Sequence, residues 1–273
     1  MSSINISDQE FSQFQRFIYE AAGISMASSK KALVSGRLAR RLQHCGVNSY
    51  GEYFRLLASG QSPLEVQAAV DLLTTNETYF FREQKHFDLL RELALAAARG
   101  TQPFRVWSAA SSSGEEAYSI AMVLADCLGD KAWEVIGTDI STRMLERARS
   151  GHYPMSRTQH LPVSYLKRFC LKGSGAQEDT LLIQRGLRDR VKFLHGNLNA
   201  RLPHIGEFDV IFLRNVMIYF NGDTKREVVA RTVALLKRGG HFLVGHSETL
   251  HELTDAVQPV APSVYRKPQA PGS

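Results

Sequence analysis

Through the first 75 residues the apolar positions recur at helical spacing. Phe11, Phe14, Ile18 and Ala21 or Ala22 fall on one stripe, the mark of an amphipathic helix. Ser7 with Glu10 three residues later predicts a capping box at its start, and Gly23 predicts its end. A second helix is expected over Ser29–His44, stopped by Gly46. A third lies near Ser49–Ala58 and ends at Gly60. A fourth begins after Ser62-Pro63, with proline in the first turn. No strand pattern interrupts this stretch.

From Phe104 onward short apolar runs alternate with helical stretches. Phe104–Ala110 precedes a helix over Glu115–Leu128, and Glu134–Thr138 precedes one over Ser141–Ser150. Val191–Leu194 and Phe208–Leu213 read as strands, followed by a helix over Asp223–Leu236. His241–Val244, after Gly239-Gly240, reads as another strand. Such alternation implies a parallel sheet with helices on both faces. Tyr265, near a polar tail, could supply an antiparallel edge strand. Residues 151–190 interrupt the alternation. There the Gly173-Ser174-Gly175 turn and Thr180–Gln184 predict a helical turn or two and then a small inserted hairpin.

The pattern divides the chain into a helical domain over 1–75, a linker and helix over 76–100, and an α/β domain over 101–273. The insertion lies at about 151–190. There is no internal repeat, and the only biased segment is the short Pro/Gly-containing tail 268–273.

Composition adds limits. The 273 residues are 44% hydrophobic and 22% charged, a globular balance that excludes a disordered chain. No apolar run approaches the roughly 18 residues of a membrane helix. Met1-Ser2-Ser3-Ile4-Asn5 lacks the features of a signal peptide. Cys45, Cys127 and Cys170 are scattered without metal-like spacing, as expected of free thiols in a reducing, cytoplasmic setting. The net charge of +6 favours an acidic partner: nucleic acid, anionic lipid or an acidic protein surface.

Two predicted strand ends carry chemistry, which is where open α/β sheets bind ligands. Val106–Glu116 runs from a strand through the small residues Ala109, Ala110, Ser111, Ser112 and Ser113 to Gly114 and two carboxylates, Glu115 and Glu116. Small residues admit close approach of a ligand. A dinucleotide fingerprint would need more glycines than Gly114, and an acidic helix start opposes phosphate. S-adenosylmethionine (SAM) fits better, having no phosphate and carrying a sulfonium and an ammonium. Either glutamate could instead be an ordinary partner of the helix dipole. At the second strand end, Asp139 is placed either to accept both hydroxyls of a ribose or to cap the following helix.

Four segments resemble the chemotaxis receptor methyltransferase (CheR) family. Thr75–Glu83 (TNETYFFRE) is similar to its T-N-x-T-x-F-F-R-E signature. Ser108–Ser119 (SAASSSGEEAYS) is similar to its A-A-S-T-G-E-E-P-Y-S loop, with Ser113 and Ala117 as departures. Gly196-Asn197-Leu198 and Leu213–Phe220 (LRNVMIYF) match the remaining two. The order holds across about residues 10–267. The resemblance implies a class I, Rossmann-like SAM-dependent methyltransferase domain with a small β-subdomain, preceded by a helical domain. It implies SAM as cofactor and S-adenosylhomocysteine as product, with glutamate γ-methyl esters formed on transmembrane chemoreceptors.

By the same resemblance Asn76, Thr78 and Arg82 line the cofactor pocket, with one of Glu115 and Glu116, then Asp139, Asn197, Leu198, Arg214 and Asn215. Arg82 and Tyr219 lie near the transferred methyl. Phe80 and Phe81 read as core anchors. Arg82 could equally be an interdomain ion pair, Tyr219 a packing residue, and Asn197 and Asn215 turn residues. His195, His241, His246 and His251 show no metal-ligand spacing, and no metal is expected.

Ser28–Gly46 holds Lys30, Lys31, Arg37, Arg40 and Arg41 and no acid. Lys30, Arg37, Arg40 and Arg41 fall on one helical face, beside an apolar stripe of Val34, Leu38, Leu42 and Cys45. The face is either solvated, or binds nucleic acid, or docks on an acidic receptor helix; the resemblance favours docking. It also makes the 151–190 insertion a site where a C-terminal receptor peptide could add a strand. A monomer is expected. Two rival functions are a non-catalytic SAM-binding module and a nucleic-acid methyltransferase. The second is disfavoured because Leu213-Arg214-Asn215-Val216 lacks the prolines that hold a flipped base.

Overall fold

The computed structural model describes residues 5–269. The readings of Met1–Ile4 and of the end of the 268–273 tail lie outside the described residues. The helical domain holds α1 (Asp8–Ala22), α2 (Lys31–His44), α3 (Tyr50–Ala58) and α4 (Pro63–Leu73). The capping box forms as the spacing requires: Ser7 Oγ accepts from Glu10 N, and Glu10 accepts from Ser7 N at 2.8 Å. The α1 stripe buries Phe14 and Ile18 completely against Val34, Leu38, Tyr50 and Tyr53. Gly23 ends α1 at φ 73°, and a Cβ there would meet Thr224 Cγ2 at 2.7 Å. Glycine is therefore required both by backbone hand and by the close approach of the two domains.

The linker carries α5 (Lys85–Ala97). The α/β domain then alternates as expected: β1 (Phe104–Ser108), α6 (Glu115–Leu128), β2 (Trp133–Asp139), α7 (Thr142–Ser150). A small insertion follows with β3 (His152–Pro154), α8 (Val163–Phe169), β4 (Cys170–Lys172), β5 (Thr180–Ile183) and α9 (Arg185–Arg188). The main fold resumes with β6 (Val191–His195), β7 (Phe208–Leu213), α10 (Gly222–Ala234), β8 (Leu236–Val244), β9 (Gln258–Ala261) and β10 (Val264–Arg266). The seven-stranded sheet has the order β6-β2-β1-β7-β8-β10-β9. The first five strands are parallel, and β10 runs antiparallel to both its neighbours.

Three expectations are corrected. The Tyr265 strand is not the edge, because β9 covers it; that strand, with Pro259 and no buried residue, lacks the apolar alternation that would reveal it. The strand near His241–Val244 begins five residues earlier, at Leu236, and absorbs Gly239-Gly240 through a register shift against β7. The insertion is not a lone hairpin but a three-stranded antiparallel sheet, β3-β5-β4.

The sheet separates two apolar clusters. One, with Phe80, Phe81, Phe87, Tyr118 and Phe212, packs α5 and α6 against one face. The other, with Trp107, Ile211, Phe242 and Val228, packs α10 against the opposite face. The helical domain is fastened to the sheet by polar contacts rather than by a large apolar seam. Buried Asp71 of α4 accepts from Thr142 N, Thr142 Oγ1 and Arg143 N at 2.9–3.2 Å, so it satisfies free donors at the start of α7. Gln67 donates to Ile140 O at 2.9 Å, Asn197 donates to Ala21 O at 2.7 Å, and Ile24 bridges Phe220.

Candidate functional site

The carboxyl ends of β1, β2, β6 and β7 open toward the helical domain. Between them lies a cavity of about 840 Å³, counting its open mouth, in the size range of small-molecule sites. Its floor is Ala109, Ala110 and Ser112 from the loop after β1. Its sides are Glu116, Asp139, Asn197, Leu198, Arg214 and Asn215, and Asn76, Thr78, Arg82 and Tyr219 complete the wall. All the sequence-predicted cofactor residues thus converge on one cavity, with one exception.

The exception is Glu115. Its side chain is fully buried and turned away, paired with Arg157 and accepting from Ser113 Oγ at 2.6 Å. Adjacent helical positions point about 100° apart, so only one member of the pair faces the cavity. Glu116 does. It accepts from Ser108 Oγ at 2.7 Å and from Arg214 at 2.9 Å. Burial raises its carboxyl above the ordinary value, against the opposing pull of Arg214.

Asp139 is not the cap of α7; Ser141 is. Instead the Asp139 carboxylate accepts from Ser112 N and Ser141 N, both at 2.8 Å, which fixes it at the cavity wall. Burial raises its pKa, opposed by these two amides. Each oxygen retains a lone pair for a ligand hydroxyl. The Asn197 side chain is engaged with Ala21 O and Asn199 N, so the turn reading and the cavity-lining position hold together.

Arg214 is the electrostatic centre of the site. Its side chain is fully buried and meets Glu83 and Glu116, each at 2.9 Å, while donating to Arg82 O. Burial alone would raise the Glu83 carboxyl, but pairing with Arg214 outweighs it and leaves the pKa lowered. Asn215 sits in the left-handed region, φ 56°, held by Glu248 on its amide N–H at 2.7 Å and by Glu83 on its side chain. Glu248 was not signalled in the sequence; only a structure shows its carboxylate gathering the amides of Asn215 and Gly245. Phe81 and Glu83, on either side of Arg82, also have positive φ, a strain that accompanies functional loops. Phe80 and Phe81 are buried against Tyr153 and Tyr165. Arg82 makes no interdomain ion pair among the described residues; it donates to Glu77 O at 3.2 Å.

His246 does approach two other residues of ligand type: the ligand atoms of Glu83, His86 and His246 lie within 4.8 Å of one another. Glu83 and His86 are only three residues apart, but His246 is far along the chain and gives no spacing signal. Arg214 already occupies Glu83, and its charge would oppose a cation there. Burial, and then Arg214, push His86 down to about 4.

The basic face of α2 is also more divided than its spacing implies. Arg41 pairs with Glu65, and Arg37 donates to Leu73 O and Thr74 O. Lys30 and Arg40 remain exposed.

The cavity fits SAM on its own residues. Two carboxylates at adjacent strand ends suit a cationic, ribose-bearing ligand, small side chains suit close approach, and the acidic start of α6 opposes phosphate.

The comparisons agree with this. The family described as "CheR methyltransferase, SAM binding domain" matches residues 76–265, and "CheR methyltransferase, all-alpha domain" matches residues 9–74. A chemotaxis protein methyltransferase of Escherichia coli (strain K12) is 44% identical over 251 residues, covering 91% of this chain and 87% of that one. Chemotaxis protein methyltransferase 2 of Pseudomonas aeruginosa is 42% identical over 260 residues, covering 94% and 92%. A chemotaxis protein methyltransferase of Borreliella burgdorferi is 34% identical over 276 residues, covering 97% and 96%. With both domains matched and the strand order of a class I methyltransferase, the chain belongs to the CheR family of SAM-dependent methyltransferases.

Proposed function

We propose that the protein methylates glutamate side chains of chemoreceptors, giving γ-methyl esters. One observation carries this reading: among the described residues, no histidine, cysteine or lysine lines the cavity. Of its carboxylates, Glu116 and Asp139 are held in the walls by hydrogen bonds, and Glu77 is exposed to solvent, where a carboxylate is a poor base. The site thus offers no general base of the kind a neutral hydroxyl or amine acceptor would need. A glutamate has a reference pKa near about 4.3 and is already ionised at neutral pH.

When bound, SAM supplies an electrophilic methyl. The chain's own residues supply binding, orientation and dryness. Glu116 would meet the cationic end of SAM, and Asp139 would hold its ribose diol. Ala109, Ala110 and Leu198 exclude water, which favours a reaction in which opposite charges are dispersed. Arg82 and Tyr219, both half-buried in the cavity wall, orient the incoming carboxylate. Burial, reinforced by Glu77, raises the Tyr219 phenol, so it remains a hydrogen-bond donor. Alignment of this kind supplies roughly 7–11 kcal/mol in well-oriented systems.

The acceptor reaches this site from a receptor helix. The exposed Lys30, just before α2, and Arg40 of α2 offer it positive charge, and Arg37 and Arg41 contribute less because they are engaged within the chain. The outer strands β3 and β4 each leave a free edge to which a C-terminal receptor peptide could add. The protein acts as a cytoplasmic monomer, without nucleic acid. No helix among the described residues is long and apolar enough to cross a membrane.

Incubation with methyl-labelled SAM and receptor, followed by mild base, tests the reading. Release of volatile labelled methanol is expected; base-stable label on receptor, or label on nucleic acid, would overturn it. In the same assay Arg82→Ala is expected to lower turnover about 100-fold, the scale of a misaligned reactant. Tyr219→Phe should lower it less, with S-adenosylhomocysteine affinity changed less than turnover in both. Full turnover in both variants would remove these side chains from the catalytic step.

A further inference from the structure

A second cavity, about 700 Å³ with its open side, lies behind the 74–76 segment that walls the cofactor site. Thr74 and Asn76 line both cavities. Four arginines point into it: Arg37 from α2, Arg143 and Arg147 from α7, and Arg157 from the turn after β3. Their charge is mostly uncompensated. Arg157 is paired with Glu115, but Arg37 meets only the Leu73 and Thr74 carbonyls. Neither the Arg143 nor the Arg147 guanidinium forms an ion pair among the described residues; Asp71 accepts from the Arg143 backbone N–H, and the Arg143 guanidinium reaches only the Asp71 carbonyl, at 3.5 Å. Arg37 and Arg143 are close enough that, after burial, the charge of Arg143 is the next cause lowering the Arg37 pKa. Like charges held together without a counter-ion are destabilising, and an anion between them relieves that cost.

We propose that this arginine cleft is a second substrate subsite, which takes a carboxylate flanking the acceptor glutamate on the same protein. The inference rests on the proposed carboxyl methylation and adds to it the requirement for an acidic neighbour. Three features favour a protein carboxylate. The cleft shares a wall with the cofactor cavity, so an extended or helical substrate lying across the 74–76 segment reaches both. Guanidinium groups bind carboxylates through paired N–H donors. The contributing side chains come from both domains, so the subsite reads the substrate at the point where the domains meet. Arg143 and Arg147 lie outside the α2 face, and neither lines the cofactor cavity. The Arg147 side chain has no polar partner among the described residues and the Arg143 guanidinium has only the long contact to Asp71 O, so their main effect is on substrate recognition.

The test is steady-state methylation of receptor by full-length Arg143→Glu/Arg147→Glu, with S-adenosylhomocysteine affinity measured by calorimetry. The KM for receptor is expected to rise about 10-fold or more, the scale of one charge-assisted contact, with kcat and product affinity unchanged. A glutamate-rich helical peptide should inhibit the native protein and lose potency by a similar factor against the variant. Its glutamine counterpart should inhibit neither. Should the reversed charges prevent folding, Arg143→Gln/Arg147→Gln carries the same expectation. An unchanged KM, or equal inhibition of both proteins by the acidic peptide, overturns the subsite. If inorganic phosphate at equal charge competes as well as the peptide, the cleft is a simple anion site and the proposal is likewise overturned. Failure of the native protein to form base-labile esters would instead remove the carboxyl-methylation reading, a distinguishable result.

Discussion

Arg214→Ala is expected to lower the unfolding free energy by about 3–5 kcal/mol, the scale of breaking a buried ion pair from one side. The side chain is fully buried and is shared by Glu83 and Glu116. Its removal leaves two carboxylates facing each other in a poorly solvated space, and leaves Arg82 O without its donor. The backbone on both sides of the site is then released, since Glu83 also holds Asn215 and the amide of His246. Chemical denaturation at neutral pH measures the loss. An unfolding midpoint within experimental error of the native protein would show that the network carries no net stability. The pH dependence has a definite sign. Glu83 has a lowered pKa in the folded protein, so its share of stability is fully present above the ordinary glutamate pKa. That share is lost as pH falls through the lowered value. Arg214→Ala should flatten this acid-side slope.

The second large effect is on the cofactor. Asp139→Ala is expected to weaken S-adenosylhomocysteine binding by about 100-fold or more, from loss of charge-assisted bonds to the ribose hydroxyls at roughly 1.5–3 kcal/mol each. Part of the loss comes from the loop, because Asp139 also anchors Ser112 N and Ser141 N. Asp139→Asn is expected to lose less than Asp139→Ala, because it keeps about half of each set of bonds. One amide oxygen can still accept from a backbone N–H, but the second bond to the diol is lost. Calorimetry on both variants checks the prediction. Native affinity in Asp139→Ala would remove the ribose role and leave Asp139 as a loop anchor.

The comparison of sequence with structure is clearest at particular residues. Helical spacing and cap chemistry gave α1 with its Ser7–Glu10 box, because those forces act within four residues of each other. The alternation of apolar runs and helices gave the parallel sheet, because buried parallel strands must be continuously apolar. The pocket residues were legible through motifs at strand ends, where an open sheet binds its ligand.

What failed has a common cause. Glu115 and Glu116 are neighbours in the chain, and only the rotation of α6 against Arg157 and Arg214 decides which one faces the cavity. β9 has no buried side chain and was invisible to periodicity. Arg37 and Arg41 share a helical face with Arg40, yet Glu65 and the Thr74 carbonyl, both distant in sequence, take them out of the free surface. By itself the sequence determined the two-domain plan, the cofactor class and the strand ends that would bind it, since each depends on local pattern. The tertiary structure alone decided which charges are paired, which remain free and where the arginine cleft forms. Coulomb interactions depend on distance in space, and chain order does not carry that distance.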